Sequence, residues 1–297
     1  MSCQTSLMAL NCNNFPTVGY GITLPTDEDA YVGVTKALEV GYRLINTSSD
    51  YENEKGMGKA VSASGLPRQE LIIVSLDSNA KRSCEIPQSF NGYNSQLEQI
   101  YNSLESLSVD YIDYYMIHWP VPRYMEKVWR KLNADSWLAM EDCVKKGLIK
   151  HLGVSNFLPF HINELMKTAI LPIEVNQLEI HPNFQQRETV QYCRNAGMKI
   201  MAFSPLFKGK SLALPEICRL AEKHGKTPAQ IILRWNIQHN ISPVVCSTNA
   251  ERIASNFNIF DFEISDEDIG LIDNLETGEH IDYYSYIRQQ ESLKSIE

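Results

Sequence analysis

The run Asp113-Tyr114-Tyr115-Met116-Ile117-His118-Trp119-Pro120 passes abruptly from apolar and aromatic residues into a histidine, a tryptophan and a proline. A short apolar run flanked by helical patterns is what a parallel strand buried on both faces requires. This one delivers His118 to its C-terminal end, and in a closed barrel of such strands the chemistry sits at that end. Other polar groups follow apolar runs in the same way. Asn46-Thr-Ser-Ser-Asp-Tyr51 reads as the polar loop after Tyr42–Ile45, Ser155 and Asn156 follow Ile149–Val154, and Gln177 closes Ile173–Gln177. Tyr51 and His118 carry a phenol and an imidazole, groups that both donate and accept hydrogen bonds. Metal chemistry is not expected, because the histidines show neither HExxH nor HxxEH spacing. The seven cysteines (Cys3, Cys12, Cys84, Cys143, Cys193, Cys218, Cys246) are scattered without paired spacing, so neither a zinc site nor a disulfide framework is expected.

Positioning these groups requires regular alternation. Short strands are expected at Val18–Ile22, Tyr42–Ile45, Glu70–Ser75, the run ending at His118, Ile149–Val154, Ile173–Gln177, Lys199–Phe203 and Ser242–Val245. Helical periodicity follows nearly every one, near 53–63, 92–107, 135–146, 158–168, 185–196 and as a pair over 213–238. The first helix starts after Pro25 with Asp27, Glu28 and Asp29 and stops at Gly41. Such alternation implies parallel strands joined by right-handed crossovers. The expected fold is α/β, a (β/α)8 TIM barrel forming one domain over residues 1–297. An open doubly wound sheet is disfavoured, since no Gly-rich dinucleotide turn follows the first strand. Residues 1 to about 16, with Asn11, Asn13, Asn14 and Pro16, suit an N-terminal hairpin or plug. The tail after Glu276, with Tyr283, Tyr284 and Tyr286, is expected over the mouth.

A hydrophobic fraction of 43% supports a large core, and no linker or low-complexity run marks a boundary. The net charge of -9 argues against nucleic acid as a partner. No signal peptide or membrane span is visible, so a cytoplasmic protein without a membrane partner is expected.

Four stretches carry a resemblance. They are Gly41-Tyr-Arg-Leu-Ile-Asn-Thr with Tyr51 and Asn53-Glu54, Met116-Ile-His-Trp-Pro120, Gly153-Val-Ser-Asn-Phe157, and Ser247-Thr-Asn-Ala-Glu-Arg252 with Asn256. In this order they resemble the aldo-keto reductases, NAD(P)H-dependent enzymes that reduce aldehydes and ketones on a β/α barrel. The resemblance implies a catalytic tetrad of Asp, Tyr, Lys and His around a small-molecule carbonyl substrate. Tyr51 and His118 match two of its members, whereas the Asp position holds Asn46 and the Lys position holds Leu76. A free tyrosine titrates near about 10 and donates a proton reluctantly without a nearby cation. Removing the lysine alone would strand a buried carboxylate at a cost of roughly 3 to 5 kcal/mol, so Asn46 and Leu76 read as one coupled neutralisation. Lys81 or Arg82, in the loop after the third strand, is a candidate replacement cation.

By the same resemblance, Ser155, Asn156 and Gln177 would hold the nicotinamide carboxamide and Phe203 would stack on its ring. Ser204, Leu206 and Lys208 would wrap the pyrophosphate, with Lys208 or Lys210 as counter-charge. Ser247, Thr248, Asn249, Arg252 and Asn256 would hold the adenosine end of NADP or NAD. Cys246 stands where the family's 2'-phosphate lysine is usual, which weakens the case for NADP relative to NAD. Thr23, Trp119, Trp137 and the loop Val121–Asp135 are expected to line the substrate pocket. Glu179 and His181 are assigned no chemistry. The implied function is a weak or specialised NAD(P)H-dependent carbonyl reductase. The alternative is a catalytically inactive nucleotide-binding relative acting as a sensor or partner subunit.

Overall fold

The computed structural model describes residues 15–77, 92–121 and 127–281. Within them eight parallel strands close a barrel in chain order. They are β1 (Gly19–Gly21), β2 (Leu44–Ser48), β3 (Ile72–Leu76), β4 (Ile112–Ile117), β5 (Ile149–Ser155), β6 (Val175–Glu179), β7 (Lys199–Phe203) and β8 (Ile241–Val245). β1 pairs with both β2 and β8, which closes the ring.

Side chains alternate about the strands, so each strand serves two cores. Outward residues such as Tyr20, Ile45, Ile73, Tyr115, Leu152, Leu178 and Ala202 pack under the helices in one large cluster. Leu44, Val74, Leu76, Tyr114, Met116, Val175, Met201 and Val244 fill the barrel interior in a second. Phe15 belongs to the interior cluster and meets the Tyr114 ring edge-on at 5.4 Å, so the chain entering β1 plugs one end. The hairpin expected before it falls outside the described residues, apart from this end. Gly153 is required by close approach: a Cβ there would lie 2.4 Å from Val175 Cγ1.

The helices are α1 (Asp27–Val40), α2 (Glu54–Ala63), α3 (Gly92–Leu107), α4 (Trp129–Lys145), α5 (Pro159–Met166), α6 (Arg187–Asn195), α7 (Pro215–His224), α8 (Pro228–Gln238), α9 (Ala250–Phe257) and α10 (Asp266–Asp273). α1 begins as its sequence requires, with the Thr26 side chain accepting the Asp29 N–H and three acids in the first turn. It ends at Gly41, whose φ of 125° favours glycine. No helix among the described residues is long and apolar enough to cross a membrane.

Three expectations are corrected. β2 runs on through Asn46, Thr47 and Ser48, read above as loop, because the ladder to β3 continues to the Ser48–Leu76 pair. These polar residues alternate within a buried strand whose neighbours satisfy Asn46 and Ser48. β6 lies two residues later than expected. α4 starts at Trp129 rather than near 135, and Val128 at its N-cap makes no side-chain cap, so the usual start signal is missing.

Candidate active site

The ends of β2, β3 and β4 converge on His118. The turn after β2 is a 3-10 segment, Ser49–Tyr51, capped by Ser48, whose Oγ accepts the Asp50 N–H at 3.1 Å. Asn53, fully buried, ties this turn to the first strand's exit by donating to the Ile22 and Leu24 carbonyls at 2.8 and 2.7 Å. Glu54 lies behind it with its carboxyl accepting from Ser75 Oγ at 2.9 Å, and burial raises that carboxyl above the ordinary range. Tyr51 thereby stands beside His118, ring to ring at 6.4 Å and nearly perpendicular. Burial pushes the Tyr51 phenol above its usual value. A hydrogen bond with the Thr23 side chain opposes this, while the charges of Asp50 and Cys246 add to it. Among the described residues acting on Tyr51 there is no cation.

His118 is held on three sides. Its backbone N–H donates to Asp77 Oδ1 at 3.0 Å, and its own carbonyl accepts from Asn156 Nδ2 at 3.1 Å. Trp119 stacks on its ring at 5.8 Å. Its Nδ1 lies 3.2 Å from Asp50 Oδ2, 3.3 Å from the Asp77 carbonyl oxygen and 3.3 Å from Ser48 Oγ. A carboxylate and a carbonyl only accept, so this surrounding assigns a proton to Nδ1. Asp50 is 6% exposed, and neither of its oxygens receives a directed hydrogen bond from a described residue.

Asn46 and Leu76 both face the barrel interior. Leu76 is fully buried in the apolar interior cluster. Asn46 Oδ1 accepts from Gln177 Nε2 at 2.9 Å across the barrel. The Lys81 and Arg82 alternative lies outside the described residues.

The other half of the mouth is neutral. Ser155 ends β5, and its Oγ donates to the Gln177 carbonyl at 2.9 Å while accepting from Asn156 Nδ2 at 3.1 Å. Asn156 takes the left-handed conformation, φ 64°, which asparagine tolerates better than most residues. With Gln177 Nε2 engaged by Asn46, its Oε1 is the group left for a carboxamide N–H. Phe203, the half-buried last residue of β7, makes no ring contact with a described residue, so its face can take a planar ring. Ser204 turns away at φ 49° into the loop holding Leu206 and Lys208. Lys208 is exposed and makes no ion pair among the described residues, whereas Lys210 pairs with Glu279 at 2.9 Å. The counter-charge role therefore fits Lys208 better than Lys210. After β8, Ser247 Oγ accepts the Asn249 N–H, and Asn249 caps α9 by accepting the Arg252 N–H at 2.9 Å. Thr248 and Arg252 are exposed on this turn and Asn256 is buried behind it. Arg252 makes no ion pair among the described residues. Cys246 donates to the Thr23 carbonyl at 3.8 Å, and desolvation pushes its thiol up to about 11 although the residue keeps an exposed edge. A thiol so raised is a poor redox switch.

This donor set, with an open aromatic face and an unpaired arginine on a capped turn, fits a nicotinamide dinucleotide. Residues 17–277 match the Aldo/keto reductase family. The chain belongs to that family. An aldo-keto reductase from Mycolicibacterium smegmatis is 41% identical over 270 residues, covering 91% of this chain and 92% of that protein. A glyoxal reductase from Bacillus subtilis is 38% identical over 281 residues, covering 94% and 96%. The crystal structure of a Bombyx mori aldo-keto reductase in complex with NADP superposes with a TM-score of 0.81 at 28% identity, covering 94% and 95%.

Two expectations about the pocket change. Trp137 does not stand at the mouth: it is 1% exposed on α4, inside the cluster between helices and barrel. It lies within the span already expected to be helical and packs into the core there. Of the loop Val121–Asp135, the stretch from Trp129 is helix, and residues 122–126 lie outside the described residues. The tail beyond residue 281, with its three tyrosines, also lies outside them. Sequence reasoning missed Asp50 and Asp77. Both sit in polar surroundings that look solvated in a sequence, and the available signal was their adjacency to Tyr51 and Leu76.

Proposed function

We propose that the protein is an NAD(P)H-dependent reductase of a small aldehyde or ketone, with α-dicarbonyls such as glyoxal as the first class to test. The observation that carries this is the joint arrangement of Tyr51 and His118 beside the neutral Ser155–Asn156–Gln177 cradle. The reduced cofactor supplies a hydride. Ser155, Asn156 and Gln177 hold its carboxamide, and Phe203 covers one ring face. Lys208 and Arg252 meet the phosphates, with Ser247, Thr248 and Asn249 on the adenosine side. Thr23 and Trp119 border the substrate beside Tyr51 and His118, which point donors at its carbonyl oxygen. With Cys246 in place of a lysine, one cation fewer faces a 2'-phosphate, so the preference for NADPH over NADH is small. The glyoxal reductase relative supports the substrate class.

Activity is weak in this reading, because Leu76 and Asn46 leave Tyr51 without a cation among the described residues. The same observation, with Gln177 tied to Asn46, favours a second reading in which the barrel binds the nucleotide without turning it over. Incubating the protein with NADPH or NADH and a panel of aldehydes, ketones and α-dicarbonyls separates the two. Carbonyl-dependent oxidation of the nucleotide, lost in His118→Gln, is the expected result. Nucleotide binding with no carbonyl-dependent oxidation would overturn the first reading.

A further inference from the structure

Asp50 is a carboxylate buried where water does not reach it and where no described residue gives it a directed hydrogen bond. A buried carboxylate in that condition needs a cation or becomes neutral. The ionisable group in contact with it is His118, at 3.2 Å. We propose that Asp50 is the counter-charge of an imidazolium at His118, and that this imidazolium rather than Tyr51 gives the proton to the substrate's carbonyl oxygen. The proposal deepens the carbonyl-reductase reading above and rests on it.

Three observations converge. First, His118 Nδ1 faces a carboxylate and a carbonyl oxygen, so one ring proton belongs there. No described residue bonds Nε2, and with Nδ1 already protonated Nε2 is a donor only in the imidazolium. Second, Tyr51 is a poor acid, raised by burial and by the neighbouring negative charges, with its hydroxyl engaged by Thr23. Third, the two interior positions that would otherwise carry charge are the neutral Asn46 and Leu76, so neither offers Asp50 a competing cation.

The groups facing His118 are Ser48, Asp50 and Tyr51 from β2 and its turn, Asp77 after β3, Trp119 on its own segment and Asn156 after β5. Asp77 is the rival carboxylate, but its Oδ1 accepts the His118 backbone N–H at 3.0 Å, so its charge has a donor that Asp50 lacks. In the step itself, the hydride that a reduced nicotinamide held by Ser155, Asn156 and Gln177 would supply would form the new C–H bond at the carbonyl carbon. The C=O π pair moves to oxygen, the Nε2–H bond breaks and an O–H bond forms. His118 is left neutral with its remaining proton on Nδ1 against Asp50, and solvent returns the Nε2 proton after the alcohol departs. Asp50 is thus a positioning residue acting through His118.

The test is 15N NMR of the histidine side chains in the cofactor-free protein, with His118→Gln assigning the signal. In the wild type, the neutral form reached at alkaline pH carries its proton on Nδ1; a neutral form protonated on Nε2 overturns the proposal without any variant. In Asp50→Asn, the charged ring gives way to the neutral one about one pH unit lower than in the wild type. Asp77→Asn moves it less, and Asp50→Glu restores most of the wild-type behaviour. The alkaline limb of kcat moves with the NMR signal, which a merely structural role for Asp50 would not produce. An Asp50→Asn titration superimposable on the wild type, or an equal displacement in Asp77→Asn, overturns the proposal and leaves the reductase reading standing if turnover persists. Failure of every carbonyl substrate overturns that reading, while the NMR experiment still decides whether Asp50 holds the imidazolium.

Discussion

The two halves of the barrel mouth are built on different principles. On the side of β5 and β6, Ser155, Asn156 and Gln177 are satisfied by one another, by neighbouring backbone groups and by the Asn46 side chain of β2, and none of them carries a charge. On the side of β2, β3 and β4, two buried carboxylates, Asp50 and Asp77, converge on one histidine. A neutral cradle is fixed by backbone positions and short side chains, so its residues have few alternatives. A proton donor needs charge compensation, and charge can be supplied from more than one position in a small volume. In the proposed reading, that difference separates a neutral half suited to binding from a charged half suited to handling a proton.

The comparison breaks most visibly if charge is forced into the interior of the proton-handling half. Leu76→Lys puts an ammonium among Val74, Tyr114 and Met116, and urea unfolding is expected to show a loss of roughly 3 to 5 kcal/mol. Adding Asn46→Asp recovers most of it. A Leu76→Lys variant as stable as the wild type would mean that the interior already holds a partner for the cation. Next in size, His118→Gln lowers kcat about 100- to 1,000-fold, the ordinary consequence of losing a donor at a developing oxyanion. Nucleotide binding, followed by fluorescence, stays as in the wild type, because the two halves act separately. Joint loss of both would refute that separation.

Smaller effects sharpen the binding half. Arg252→Ala weakens NADPH by about tenfold or more while leaving NADH nearly unchanged, since a charge-assisted contact is worth roughly 1.5 to 3 kcal/mol. Equal weakening of both nucleotides would place Arg252 on the adenine rather than on the 2'-phosphate. Tyr51→Phe removes one neutral hydrogen bond and lowers kcat about tenfold. Because burial holds the phenol above its usual value, the pH profile shows no limb from Tyr51 below about pH 10. A limb that disappears in Tyr51→Phe would contradict this.

The barrel was legible because apolar strand runs and helical periodicity alternate along the chain, and all eight strands formed where runs were expected to within a few residues. The misplacements have local causes. β2 contains Asn46, Thr47 and Ser48, polar residues that a sequence assigns to a loop and a barrel interior accommodates by cross-barrel bonds such as Asn46 to Gln177. α4 begins without a side-chain cap, which hid its first turns, and Trp137, already inside the expected helix, proves to be core. The residues proposed to bind the nucleotide were named by resemblance at strand ends. Asp50 was not, because burial and the distance to His118 come from folding the 3-10 turn back over β4, a contact spanning 68 residues that no local pattern encodes.

The most direct test compares the single-site variants His118→Gln and Tyr51→Phe under one set of conditions, with saturating NADPH and the best carbonyl substrate, scoring kcat by alcohol formed. The account predicts that the loss at His118 exceeds the loss at Tyr51 by about tenfold or more. A larger loss at Tyr51 would return the proton to the tyrosine and contradict the account.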